Sequence, residues 1–252
     1  MKIFVTKDIE IIQGSKAASL IVQKNELKNY EEGIGVIKID KSRWTEAQYY
    51  EKKTWCEQSR GMDTDRNEEH LYNFNKYETL DTVLQDGLSV IELGCGPYTN
   101  LRYILPAITK RVDSVYLLDP LIDDYLLNSP NCTYKNSLAG HPVITFNTPI
   151  EEFKVSRKYD LVVMINVLDH CFDIDLIFKK VWGMLKKNGV LVFNERAYIK
   201  GVKESIENIY DAGHPIRISQ EYLNSKLSAY KTLYSKELIV NNVINKYLIL
   251  QK

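Results

Sequence analysis

One stretch, residues 89–102, constrains the fold of this chain more than any other part. It opens with a short apolar run at residues 90–93, which is long enough for one buried strand. Gly94 and Gly96 follow at once, and two glycines one residue apart let the backbone turn sharply and approach a ligand closely. Thr99 has the residue type of a helix N-cap ahead of a new apolar series. We therefore expect a strand, a glycine turn and a helix.

A charged residue inside this strand narrows the choice of ligand that the glycine turn can bind. Glu92 lies within the apolar run, where a carboxylate is costly unless it has a charged or hydrogen-bonded partner. The third glycine of a dinucleotide fingerprint is missing, and so is the Lys-Ser/Thr ending of a phosphate-binding loop. A carboxylate at this turn suits a ligand with a positive charge better than it suits a pyrophosphate.

The stretch resembles motif I of the class I S-adenosylmethionine-dependent methyltransferases. In that family the loop lies under the methionyl part of the cofactor. The resemblance therefore implies S-adenosyl-L-methionine as the cofactor and S-adenosyl-L-homocysteine as its product. It also implies cofactor contacts from these residues of the loop: Glu92, Gly94, Cys95, Gly96 and Thr99.

Downstream, strand-like and helix-like segments alternate, as in a mostly parallel sheet that is covered by helices on both faces. Further strands are predicted at residues 115–118, 143–146, 159–165, 190–193, 230–234 and 243–250. Helices are predicted at residues 43–55, 68–84, 173–187 and 219–227. The resemblance implies that the final strand is antiparallel. The expected fold is a Rossmann-like α/β fold with a seven-stranded, mostly parallel sheet.

The chain divides by its patterns into an N-terminal β appendage, residues 1–42, and a methyltransferase domain, residues 43–252. Within that domain we expect a helical lid at 43–87, a cofactor-binding core at 88–195 and a substrate-side region with the last strands at 196–252. The appendage holds strand-like pieces at residues 3–12 and 35–39, separated by a segment rich in lysine and glutamate. Homodimerisation and covering of the substrate site are alternative roles for it.

The carboxyl ends of the strands carry the remaining candidates for cofactor binding, because ligands of open α/β sheets lie beyond those ends. Asp119, followed by Pro120, ends the second strand at the distance from the glycines where such folds place an acid for ribose hydroxyls. Asn166 leaves the fourth strand. The resemblance implies adenine contacts from a loop after the third strand: Thr148, Pro149 and Ile150. The Asp that the family often has in this loop is absent.

The implied reaction decides which side chains are needed. A sulfonium is an excellent leaving group, so alignment of the nucleophile is the main task. A nitrogen nucleophile needs only to be neutral, whereas a sugar hydroxyl needs a general base or a metal. His214 and His170 are the candidate bases, with Asp169 beside them, although His170 has an alternative role in packing near the cofactor. Asp169, Asn194 and Glu195 offer oxygen ligands for Mg²⁺ or Mn²⁺, but their spacing is not diagnostic and no metal is favoured.

A finer resemblance, to methyltransferases encoded in bacterial capsule and lipopolysaccharide gene clusters, bears on the substrate. It rests on Trp44 with Gln48, Glu51 and Trp55, on residues 96–101, on 166–170 and on 213–215. It implies O-methylation of a sugar or nucleotide-activated sugar, a heptose or hexose. The candidate substrate contacts are Trp44, Gln48, Tyr98, Glu195, Tyr198 and Arg217. In the predicted helix 43–55, Trp44 and Gln48 share one face, which either packs the helix onto the domain or closes over the site.

Three other functions stay open at this point. One is methylation of a small metabolite or an amine, and another is a non-catalytic protein that retains the fold. A nicotinamide-dependent dehydrogenase is disfavoured by the missing third glycine.

Composition excludes several partners. The formal net charge is +0, which argues against a nucleic-acid partner. No segment has the apolar core of a signal peptide or the length of a membrane span. The 4 cysteines lack the CxxC spacing of zinc sites and disulfide frameworks, so we expect free thiols in a cytoplasmic protein.

Overall fold

The structure is a computed structural model that describes residues 2–5, 9–13, 19–23, 35–57, 65–199, 213–240 and 243–252. Its strands are β1 Lys2–Val5, β2 Ile9–Gln13, β3 Ser19–Gln23, β4 Gly35–Val36, β5 Leu88–Leu93, β6 Val112–Leu118, β7 Val143–Phe146, β8 Tyr159–Ile165, β9 Leu185–Tyr198, β10 Arg217–Ile218, β11 Lys231–Val240 and β12 Val243–Gln251. Its α-helices are α1 Lys41–Lys52, α2 Asn67–Asn73, α3 Glu78–Val83, α4 Leu101–Ile104, α5 Ile122–Asn128, α6 Ile174–Met184 and α7 Gln220–Leu227.

A seven-stranded sheet in the order β11-β12-β9-β8-β5-β6-β7 organises the fold. The five strands from β9 to β7 in this order run parallel, and β12 is antiparallel to both of its neighbours. This confirms the predicted seven-stranded, mostly parallel sheet with an antiparallel final strand. β5 lies between β8 and β6 in this order. The chain connections on the two sides of β5 therefore leave the carboxyl edge of the sheet in opposite directions. A crevice forms at such a switch point.

The central strands form because they are apolar on both faces. Residues 161–164 of β8 are fully buried, as expected of a parallel strand that is covered on both sides. Their side chains alternate between two packed layers: Val162 and Met164 join one, while Leu161 and Val163 join the other. Helix α6 begins where Asp173 caps it, through a 3.0 Å hydrogen bond from the Leu176 N–H to the Asp173 carboxylate.

Several helix boundaries differ from the predictions. The helix predicted at 43–55 is α-helical only from Lys41 to Lys52 and continues as a π-helix over Lys53–Glu57. The predicted helix 68–84 is broken into α2, a 3₁₀ turn at Asn75–Tyr77 and α3 by backbone with positive φ. The break leaves Phe74 and Tyr77 stacked at 5.2 Å with both rings fully buried. Helix α6 ends at Met184 rather than at residue 187, because Leu185 already pairs with Tyr159 in the sheet. Helix α4 has Asn100, not Thr99, at its N-cap position.

The N-terminal region forms two separate pairings. Strands β1, β2 and β3 make an antiparallel sheet, and β3 occupies a segment for which no strand was predicted. Strand β4 pairs instead with β10, and the Ile39 N–H donates to the Phe172 carbonyl at 3.0 Å. Residues 35–39 therefore bond to the main domain, while the division at residues 42 and 43 and the homodimer stay predictions. Most of the lysine- and glutamate-rich segment, like residues 200–212, lies outside the described residues. No helix in the described ranges has both the length and the apolar character needed to cross a membrane.

Candidate active site

A cavity of about 490 Å³ opens at the carboxyl ends of the parallel strands, next to the switch point. Its walls come from the loops that follow β5, β6, β7 and β8, from helix α1 and from residues 213–214. The volume lies in the range typical of small-molecule sites. The cavity brings together these predicted site residues: Trp44, Gln48, Gly94, Cys95, Gly96, Tyr98, Asp119, Pro120, Pro149, Ile150, Asn166, His170 and His214.

The two glycines of the loop have different tasks. Both adopt positive φ, 64° at Gly94 and 54° at Gly96, a conformation that glycine reaches at little cost. A Cβ at Gly94 would lie 2.7 Å from Cγ1 of Val167, so this position is closed by packing. A Cβ at Gly96 would meet no atom of the described residues within 4 Å. Since Gly96 also lines the cavity, its bare backbone is the part of the loop that is open to a ligand.

Glu92 organises this loop from beneath and does not line the cavity. Its carboxylate accepts from the Asn100 N–H at 3.0 Å, the Leu101 N–H at 3.2 Å and the hydroxyl of Thr99. Burial raises the pKa of Glu92 to about 7, and these donors act against the rise. The partner that a buried carboxylate requires is therefore the chain itself. Glu92 and the fully buried Thr99 order the loop and are not among the residues that line the cavity, and the cofactor contacts predicted for both stay predictions.

Thr99→Val tests this role. The change removes the Thr99 hydroxyl, which donates to Glu92. It also removes the 3.2 Å hydrogen bond from the Leu101 N–H to the oxygen of this hydroxyl. We expect the free energy of unfolding to fall by about 1–3 kcal/mol, measured by urea denaturation. Thr109→Val is the matched control because its hydroxyl binds Asp81 at the exposed surface, where the loss should stay below about 1 kcal/mol. Equal losses in both variants would contradict the role of Thr99.

Asp119 joins two of the loops. Its carboxylate accepts from the Gly96 N–H at 3.0 Å and from the Leu121 N–H at 2.9 Å. Burial raises the pKa of Asp119 to about 6, and the two N–H donors oppose that rise. A carboxylate oxygen that accepts one hydrogen bond can accept another, so Asp119 keeps acceptor capacity towards the cavity that it lines.

The other predicted cofactor residues divide into two groups. Pro149 and Ile150 line the cavity, and so does Asn166, whose φ of 55° turns the chain away from β8. Thr148, by contrast, is not among the lining residues. The predicted loop is therefore at the cavity, but its contribution begins one residue later.

Helix α1 forms one wall of the cavity, and two of its side chains donate to the same backbone carbonyl of the main domain. The Trp44 indole N–H and the Gln48 amide donate to the backbone carbonyl of His170 at 3.0 and 3.2 Å. One turn further on, Glu51 places Oε1 3.6 Å from Nδ1 of His170. The shared face predicted from the spacing is confirmed, and it both packs against the domain and lines the cavity. Closure of this helix as a lid stays a prediction.

Two imidazoles and two carboxylates meet beside this helix. The rings of His170 and His214 lie 4.4 Å apart, and Nε2 of His170 lies 3.5 Å from the Asp169 carboxylate. Burial disfavours a charged His170, but Glu51 and Asp169 outweigh it and raise the pKa of the imidazole. Burial of Asp169 is likewise outweighed by His170, His214 and Arg196, which hold its pKa below the ordinary value. Asp169 itself lies behind the cavity wall and pairs with Arg196 at 2.8 Å.

Three predicted substrate residues do not line the cavity: Glu195, Tyr198 and Arg217. The Glu195 carboxylate accepts from the Leu168 N–H at 2.6 Å, and Arg217 lies in β10. The Asn194 amide donates to Asn245 at 2.7 Å. Oδ2 of Asp169 pairs with Arg196 and Oε2 of Glu195 accepts from backbone N–H groups, so these two oxygens already have protein partners. These contacts do not favour a metal at the trio.

Several lining residues were not predicted as functional: Glu51, Arg66, Asn67, His70 and Asn100. Nδ1 of His70 lies 2.8 Å from the Asn100 side-chain oxygen, and burial lowers the pKa of this histidine. Glu51 had a detectable signal, because it shares the helical face of Trp44 and Gln48. For Arg66 the sequence gives no such signal, since it follows a polar loop and precedes α2.

Comparison with known proteins supports the fold. Residues 91–191 match the family described as a methyltransferase domain. No curated protein matches the sequence.

Similar solved structures include the N-methyltransferase NodS from Bradyrhizobium japonicum WM9 in complex with S-adenosyl-L-homocysteine, 15% identical with a TM-score of 0.56 over 81% of this chain and 97% of that chain. Coclaurine N-methyltransferase bound to N-methylheliamine and SAH is 13% identical, with a TM-score of 0.55 over 91% and 92%. The cyclopropane synthase MmaA2 from Mycobacterium tuberculosis is 13% identical, with a TM-score of 0.54 over 73% and 83%. These likenesses concern the fold alone.

Proposed function

We propose that this S-adenosylmethionine-dependent methyltransferase transfers the methyl group of the cofactor to a hydroxyl of a sugar or nucleotide-activated sugar. The sugar is a heptose or hexose of a bacterial surface polysaccharide. The enzyme class follows from the family match over residues 91–191 together with the fold. The substrate and the roles of the residues are what we propose. The observation that carries the proposal is the pair of imidazoles, His170 and His214, 4.4 Å apart at the cavity wall.

The cavity fits the cofactor in shape and in charge. The bare backbone at Gly96 leaves room for the methionyl chain, and Asp119 has acceptor capacity for two ribose hydroxyls. Pro149 and Ile150 supply an apolar surface for adenine. Arg66 lines the same cavity, and we assign its guanidinium to the carboxylate of the cofactor. When bound, the cofactor supplies a methyl group on a sulfonium.

The imidazole pair favours a hydroxyl over an amine as the acceptor. A neutral amine attacks without help, whereas a hydroxyl gains from losing its proton as it attacks. His214 or His170 takes this proton at a ring nitrogen. Asp169, 3.5 Å from Nε2 of His170, stabilises the imidazolium that results. A sugar also suits the side-chain amide oxygens of Gln48 and Asn67, because both residues line the cavity while their amide nitrogens already donate to backbone carbonyls.

A second candidate is methylation of a small amine. Glu51 lines the cavity with a side chain that is 18% exposed, and a carboxylate there suits a cationic substrate. Mass spectrometry separates the two candidates when activated sugars and amines are offered with the cofactor. A gain of one methyl group on the sugars supports the proposal, and a gain on the amines alone overturns it.

The cofactor assignment predicts a specific effect of Asp119→Asn. The variant loses a charged acceptor for the ribose, so we expect the Kd for S-adenosylhomocysteine to rise about 10- to 100-fold in titration calorimetry. Asp123→Asn is the matched control, since this acid follows within the same segment but is exposed. Unchanged affinity in Asp119→Asn, or tight binding of a nicotinamide dinucleotide instead, would contradict the assignment.

A further inference from the structure

We propose that Glu51, His170 and His214 form a binding site for a divalent transition-metal ion, best suited to Zn²⁺, at the wall of the cavity. Its three candidate ligand atoms all lie within 4.8 Å of one another, and the three side chains are half-buried. Two imidazoles and one carboxylate are a ligand set that zinc uses when it keeps an open position. Only the consequence for catalysis rests on the proposed function.

The distances suit coordination of one ion. Ligand atoms that share a tetrahedral Zn²⁺ at its usual bond lengths lie roughly 3.3 Å apart. Oε1 of Glu51 lies 3.6 Å from Nδ1 of His170, so this pair needs little movement. The upper limit of 4.8 Å for all three pairs leaves an adjustment of at most about 1.5 Å, which side-chain rotation supplies.

An ion on His170 would replace a proton. Nδ1 of His170 lies 3.2 Å from the Gly213 carbonyl, which only accepts, so this nitrogen donates there until an ion takes the place of its proton and leaves the ring proton on Nε2. Nε2 faces the Asp169 carboxylate at 3.5 Å. The Oδ1 atom of Asp169 is buried and has no hydrogen-bond partner among the described residues. A carboxylate behind the second nitrogen of a histidine ligand is a common feature of zinc sites, and it gives this oxygen its missing donor.

Glu51 is held in place on its far side as well. The indole N–H of Trp55 donates to Oε2 of Glu51 at 2.9 Å, which leaves Oε1 directed to His170. Helix α1 thus brings one ligand to the two histidines that the main domain supplies. The ion would join the helix to the domain at the point where Trp44 and Gln48 already bind the His170 carbonyl.

Occupancy has a consequence for methyl transfer. A ring nitrogen that coordinates an ion cannot accept a proton, so the metal-loaded protein lacks the bases that we assign to the reaction. We therefore expect Zn²⁺ to inhibit methyl transfer, and a chelator to restore it.

Direct binding tests the site without any assay of activity. The full chain, dialysed against a chelator and then freed of it, is titrated with Zn²⁺ in the presence of a chromophoric competitor. We expect one equivalent to bind, with the Kd raised at least 10-fold in Glu51→Gln and in His214→Ala. His141→Ala is the control, because that histidine lies in a loop away from the cavity, and it should bind like the unchanged chain.

The outcomes separate this site from the proposed function. Absence of stoichiometric binding, or equal affinity in the unchanged chain and both variants, overturns the metal site. Circular dichroism of each variant excludes loss of folding as the cause of weak binding. If Zn²⁺ binds as expected but no sugar is methylated with or without chelator, the proposed function fails and the site stands.

Discussion

Replacing His214 by alanine should lower the turnover number about 10²- to 10⁴-fold while the Kd for S-adenosylhomocysteine changes less than about twofold. The ring contributes a proton acceptor at the substrate side of the cavity and makes no contact that we assign to the cofactor. We expect the same split for His170→Ala. The variant keeps the backbone carbonyl that holds Trp44 and Gln48, so helix α1 stays fastened.

His141→Ala provides the control for both variants, since it changes the same residue type outside the cavity wall. Single-turnover experiments that follow the methylated sugar give the rate of methyl transfer. Calorimetry gives the Kd for S-adenosylhomocysteine. Full activity in both variants would remove the imidazole pair from the reaction and with it the main support for a hydroxyl acceptor. A parallel loss of cofactor affinity would place the rings at the cofactor instead.

The central strands of the main sheet were predictable because burial on both faces leaves little choice of residue, and the predicted bounds 159–165 coincide with the buried strand β8. The predicted bounds 143–146 also coincide with β7, although this edge strand is partly exposed. Once the strands are placed, parallel order brings their carboxyl ends to one edge, so Asp119 and Asn166 were found at the cavity without knowledge of any contact. Helix ends were less predictable, because the local pattern does not contain the tertiary pairing of Leu185 with Tyr159.

The candidate site was predicted less completely than the fold, and Glu92 shows why. A carboxylate in an apolar strand signals a partner but does not say whether the partner is a ligand or the chain's own N–H groups. Here the N–H groups of Asn100 and Leu101 take that place. The place of Arg217 was hard to predict for a related reason. It was a candidate substrate contact, whereas the pairing of its strand with β4 depends on residues far away in the sequence.

Gly94→Ala should destabilise the protein by about 2–4 kcal/mol. Two costs add. A Cβ would lie 2.7 Å from Cγ1 and 2.8 Å from Cγ2 of Val167, and overpacking of a buried contact costs about 1–3 kcal/mol. An alanine at a φ of 64° adds about 1 kcal/mol of backbone strain. Urea denaturation measures the sum.

Gly96→Ala separates the two costs. Its φ of 54° imposes a similar backbone strain, but no atom of the described residues lies within 4 Å of the added Cβ. The free energy of unfolding should therefore fall by only about 1 kcal/mol. The new methyl group occupies cavity space, and S-adenosylhomocysteine should bind more weakly to this variant although it is the more stable of the two. Val167→Ala completes the comparison, because it removes both clashing carbons and should make Gly94→Ala less costly in the double variant than the two single losses predict. Additive losses would mean that the Val167 side chain moves aside at little cost and that backbone strain alone accounts for the destabilisation by Gly94→Ala.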